Sequence, residues 1–111
     1  MKKVSSEQLK AISEAIVRVA DPLLVVLIGS RSRGTAEVDS DLDLLVVAER
    51  PRNVHWSRRR AIGDMRRSLP RLDFPVDILF FTPEEFTRWS DTTNHIVHRA
   101  LSEGNVLYER P

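Results

Sequence analysis

The chain has 111 residues, 41% of them hydrophobic and 30% charged, with a formal net charge of +1. That length suggests one compact domain with a single core, and the balance excludes a disordered chain. No apolar run approaches the roughly 20 residues of a membrane span, "MKKVSSEQLK" leads into polar residues rather than a secretory signal, and the lack of cysteine excludes disulfides, thiolate metal sites and a cysteine nucleophile. A soluble, cytoplasmic protein is expected.

Ser5 with Gln8 forms a capping-box pattern, and Leu9, Ile12, Ile16 and Val19 recur at helical spacing before Asp21-Pro22. Residues 6–20 therefore read as an amphipathic helix. Residues 23–28, "LLVVLI", are apolar throughout and read as a strand buried on both faces. A polar connector over 29–40 follows, with room for one helical turn after Ser30. Residues 42–48 form a second buried strand, and 49–53 a loop containing proline.

The spacing predicts a helix over about 54–69, with Ala61, Ile62, Met65 and Leu69 inward and arginines outward. "VDILFF", after Pro75, is a third strand. Thr82-Pro83-Glu84-Glu85 has the form of a helix start, with Thr as cap, Pro at the first position and Glu at the third; Phe86 and Trp89 would pin that helix to the core. A further helix is predicted over about 93–102 with Gly104 as its C-terminal cap, and 106–108 as an edge strand. The order indicates an α/β (α+β) fold: one small domain over residues 1–111, with helices packed against a mixed sheet.

The unusual feature is "GSRSRGTAEVDSDLD", residues 29–43. It joins the two buried strands and sets Asp39, Asp41 and Asp43 at alternating positions. Alternation puts Asp41 and Asp43 on one face, about 7 Å apart along the strand. Asp77, near the start of the third strand, joins them if the strands pair in register. Asp39 and Asp41 are also two residues apart, but Asp43 adjoins the apolar run directly and Asp39 lies deeper in the connector, so Asp41 and Asp43 are favoured. Clustered carboxylates need protons, arginines or a metal to neutralise them. Oxygen-only ligands suit Mg²⁺ together with substrate phosphates and water. Across the pocket, Gly29-Ser30 offers backbone N–H groups and a hydroxyl to phosphate oxygens, and Arg31 and Arg33 add positive charge. Gly-Ser alone is an ordinary turn, Asp-Ser-Asp-Leu-Asp alone an acidic helix cap or a chance Ca²⁺-like loop without the Gly and terminal Glu of an EF-hand, and Asp77 alone a strand-edge charge. Their conjunction describes phosphoryl or nucleotidyl transfer.

With this motif the chain resembles the nucleotidyltransferase superfamily with the DNA polymerase β type of core, and within it the minimal stand-alone (MNT) type. Gly29-Ser30, ten intervening residues and Asp41-Leu42-Asp43 match its motif without a gap, and Asp77 matches its third carboxylate. The likeness covers about residues 20–81. The resemblance implies a polymerase β-like fold in which Asp41, Asp43 and Asp77 are the catalytic carboxylates and bind two Mg²⁺ ions. Asp77 would also help deprotonate the attacking hydroxyl. Gly29, Ser30 and Arg33 would bind the nucleotide, ATP being the implied NTP. It further implies a partner, since small members pair with HEPN-domain toxins as antitoxins, by AMP transfer, by binding, or both. Missing substrate contacts would then come from that partner or from a second subunit, in a homo- or hetero-oligomer.

Rival readings stay open. One is a non-catalytic antitoxin, a binding module of the same fold. Another is a small-molecule modifier of the aminoglycoside type, disfavoured by size. Between Arg50 and Arg71 stand eight arginines against one acid, Asp64. This is either a solvated helix face or a docking surface for phosphate, nucleic acid or an acidic partner, and direct nucleic-acid binding is not the favoured reading. His95 and His98 read as surface or interface residues without a third ligand nearby. Trp56 and Tyr108 read as packing residues, although His55 and Trp56 could stack on a base.

Overall fold

A computed structural model describes residues 4–28, 42–50, 55–92 and 95–111. The first helix, α1 (Ser6–Ala20), begins with the expected capping box. The Ser5 hydroxyl accepts from the Gln8 N–H, and the Gln8 side chain accepts from the Ser5 N–H. It ends at Asp21, whose φ of 45° is left-handed and directs the chain into Pro22. Strand β1 (Leu24–Ile28) and strand β2 (Leu42–Val47) pair antiparallel, with Val26 opposite Leu45 and Ile28 opposite Asp43.

Helix α2 (Arg58–Ser68) starts later than the predicted position 54. Ser57 adopts an extended backbone and its hydroxyl accepts from the Arg60 N–H, so a serine cap sets the boundary that periodicity had blurred. Met65 is fully buried, with Ala61, Ile62 and Leu69 packed beside it as expected. Strand β3 (Val76–Phe81) covers "VDILFF" and pairs parallel with β2. Helix α3 (Pro83–Trp89) has the reciprocal Thr82–Glu85 capping box.

Helix α4 (Ile96–Glu103) starts after the predicted position 93 because His95 is its N-cap: the His95 Nδ1 accepts from the Val97 N–H at 3.1 Å. Gly104 follows as the C-cap residue with extended dihedrals, φ −79° and ψ 163°. Gly104 is thus the C-terminal cap expected, in an extended rather than a left-handed conformation. A Cβ there would collide with Val26 Cγ1 and lie 2.6 Å from the Ala100 carbonyl oxygen, so glycine is needed for close approach of backbone to strand. The chain closes with β4 (Asn105–Glu109), an edge strand antiparallel to β1.

The sheet order is β3-β2-β1-β4, mixed in direction. Alternation along each strand divides the core into two layers. Val25, Leu27, Leu42, Leu44, Val46, Ile78 and Phe80 face α1 and α2 and pack on Ile12, Ile16 and Met65. Val26, Ile28, Leu45 and Val47 face α3 and α4 and pack on Val97, Ala100, Phe86 and Trp89. The fold is thus the small α/β domain expected, a mixed four-stranded sheet with helices on both faces. No described helix is long and apolar enough to cross a membrane.

Candidate active site

Two of the three predicted carboxylates come together. Asp43 is the second residue of β2 and Asp77 the second residue of β3; in the parallel ladder they are register partners. Leu42 and Leu44 are completely buried in the α1/α2 layer, so Asp43 belongs to the opposite face with Leu45 and Val47. By the same alternation Asp77 shares that face with Leu79 and Phe81. Neighbouring strands lie about 4.8 Å apart, which makes the pair adjacent anions at one end of the sheet. Asp43 is half-buried and flanked on its other side by Ile28, the last residue of β1. The last residue of β1, which precedes Gly29-Ser30 in the sequence, thus lies directly beside Asp43.

Gly29, Ser30, Arg33, Asp39 and Asp41 lie outside the described residues. The described residues contribute two carboxylates to the site, and no group of three or more His, Cys, Asp or Glu among them could hold a metal. The donor set still fits Mg²⁺: two hard oxygen ligands, aligned across neighbouring strands, leave positions for water and phosphate.

Asp77 has a partner that the sequence did not indicate. Arg66 of α2 donates from Nη2 to Asp77 Oδ1 at 3.3 Å. The other arginine contacts order the helix surface: Arg58 forks onto both oxygens of Glu85 at 2.6 and 2.7 Å, and Arg67 pairs with Asp64. The Thr82 N–H, followed by the Arg58 guanidinium, holds the Glu85 carboxyl below its ordinary value against the effect of partial burial.

The remaining candidates are structural. His95 caps α4 and stacks on Trp89 with ring centroids 4.5 Å apart, and His98 Nδ1 lies 2.9 Å from the Ser90 carbonyl oxygen. Trp56 packs against Phe80 at 5.8 Å and carries the Arg50 guanidinium 4.9 Å above its ring centroid. Tyr108 is a partly buried residue of the edge strand, packed on the α1/α2 layer.

Comparison with known proteins identifies the family and the fold. The nucleotidyltransferase domain family model matches residues 7–106, and the chain belongs to that family. Among solved structures, one from Sulfolobus solfataricus, assigned as a nucleotidyltransferase, superposes with a TM-score of 0.61 at 20% identity, covering 94% of this chain and 79% of that one. A toxin–antitoxin structure containing AMP-PNP gives a TM-score of 0.55 at 22% identity, covering 91% and 73%. At these identities the likeness concerns the fold. No curated protein matches the chain in sequence.

Proposed function

We propose that residues 1–111 form one nucleotidyltransferase domain that transfers AMP from ATP to a hydroxyl on a partner protein, acting in the cytoplasm as the antitoxin of a HEPN-domain toxin. The observation that carries the enzymatic reading is the register of Asp43 with Asp77 beside the strand end that leads into Gly29-Ser30. The partner reading draws on the sequence motif and on the fold shared with a toxin–antitoxin structure that contains AMP-PNP.

In this reaction the acceptor oxygen forms a bond to the α-phosphorus, the bond from that phosphorus to the bridging oxygen breaks, and pyrophosphate leaves. The acceptor proton passes to the Asp77 carboxylate, which lies on the outer strand and has 52% of its side chain exposed, open to an approaching hydroxyl. Ser30 and the backbone that follows it hold the triphosphate, with Arg33 adding charge. Asp41, Asp43 and Asp77 would hold two Mg²⁺ ions, which offset the phosphate charge and favour ionisation of the acceptor.

The test is transfer of label from α-phosphate-labelled ATP, with Mg²⁺, into proteins of a native-host lysate. Wild type is compared with an Asp41→Ala/Asp43→Ala double variant. A labelled protein that requires both aspartates supports the enzyme and identifies its acceptor. Absence of label, with a helical partner still captured, would replace catalysis by inhibition through binding.

A further inference from the structure

Asp77 meets its cation from the other side of the sheet. Helix α2 packs through Ile62 and Met65 on the layer opposite to Asp77, yet β3 is an edge strand, and Arg66 reaches the Asp77 carboxylate at that edge. The contact follows from the direction of the helix. At its first turn Arg58 meets Glu85, beyond the end of β3; at its last turn Arg66 meets Asp77, at the beginning of β3. Helix and strand therefore run antiparallel and bring one guanidinium to the candidate site.

Two carboxylates on adjacent strands repel each other, and a neighbouring cation offsets that repulsion. Arg66 supplies one at 3.3 Å, with both side chains 52% exposed. A divalent ion would meet the same electrostatic need at the same carboxylate. Both side chains are open to solvent, so the contact can be exchanged without disturbing the core.

Given the nucleotidyltransferase reading above, on which this rests, we propose that Arg66 is the resident counter-ion of Asp77 and leaves that carboxylate when a divalent metal binds. Arg66 is then a positioning residue for one side of the site. The strand order β3-β2-β1 puts Asp77 on the outermost strand, with β1 and its last residue, Ile28, two strands away. Arg66 therefore acts on the outermost carboxylate of the site, the one assigned above to the acceptor hydroxyl. It keeps Asp77 oriented and neutralised in the metal-free protein, and its release frees Asp77 Oδ1 for metal.

The test uses Mn²⁺ alone as a paramagnetic probe of the full chain, with no nucleotide and no turnover. Dissociation constants are measured for wild type, Arg66→Gln, Arg66→Lys and Arg59→Gln. Arg59 is exposed on the same helix, about 10 Å along its axis from Arg66. At physiological ionic strength that exceeds the Debye length of about 8 Å, so Arg59→Gln controls for the general loss of one positive charge. Removing an exposed competing pair should tighten Mn²⁺ binding by Arg66→Gln about two- to fivefold. Arg66→Lys, which keeps a cation able to reach Asp77, should stay near wild type, as should Arg59→Gln. Equal affinities for Arg66→Gln and Arg59→Gln, or weaker binding by Arg66→Gln, would overturn the proposal while leaving the metal site intact. Failure of wild type itself to bind Mn²⁺ would overturn the metal-site reading, and the proposal with it.

Discussion

Asp43 and Asp77 owe their chemistry to backbone placement. Neither carboxylate is unusual alone, but parallel pairing of β2 with β3 makes them register partners on one face. On the proposed reaction, Asp77→Asn keeps the shape and removes the proton acceptor, so transfer should fall by about 10²–10⁴-fold, measured as labelled AMP incorporated per unit time. The same variant should melt within a few degrees of wild type, because the side chain is half exposed and its loss relieves repulsion from Asp43. Glu85 is the opposite case, a carboxylate with a structural task. Its folded pKa is lowered from 4.5 by the Thr82 N–H and by Arg58. Its contribution to stability is therefore present above the unfolded value and lost as pH falls through the folded one. Glu85→Gln should lower the melting temperature at about pH 7, and the difference from wild type should shrink as the pH falls below about 4.5.

At the scale of elements, helix starts followed capping chemistry more closely than periodicity. Where a full reciprocal capping box was present, at Ser5 or Thr82, the predicted start stands, whereas at the lone serine cap of α2, Ser57, the predicted start is early. Where the cap was His95, the predicted start is also early, because imidazole nitrogen is an uncommon cap acceptor and its role depends on Trp89 and Phe81 packing around the ring. His95→Ala removes both cap and stack and should cost about 1–2 kcal/mol in denaturant-induced unfolding. The end of α4 shows a related effect. Gly104 was expected from its position after a helix, but its extended dihedrals show that space, not a left-handed turn, calls for glycine. Gly104→Ala should destabilise by about 1–3 kcal/mol through overpacking against Val26 and the Ala100 carbonyl.

For the whole molecule, β2 is the element on which everything converges. It pairs with β1 on one side and β3 on the other and is buried on both faces. Leu44 and Leu45, each completely buried, point into different layers. Leu44→Ala and Leu45→Ala should therefore each cost about 2–5 kcal/mol in equilibrium unfolding. The same strand presents Asp43, so damage to the core would also displace the site. The arginines of α2 are legible in sequence only as a charged face. The fold sorts them, assigning Arg58 to Glu85 and Arg66 to Asp77.

The sequence by itself determined the local elements and the type of chemistry. Apolar runs of strand length, two capping boxes, helical periodicity and the Gly-Ser to Asp-x-Asp spacing act over a few residues, and neighbouring side chains are enough to specify them. Tertiary structure decided which strands became neighbours and in which direction they ran. Three strands of similar apolar character offer several pairings, and the order β3-β2-β1-β4 is the one that buries one face against α1 and α2 and the other against α3 and α4. That selection turned Asp43 and Asp77, separated in the chain, into one pair, and it brought Arg66 from the opposite layer to the edge where they meet.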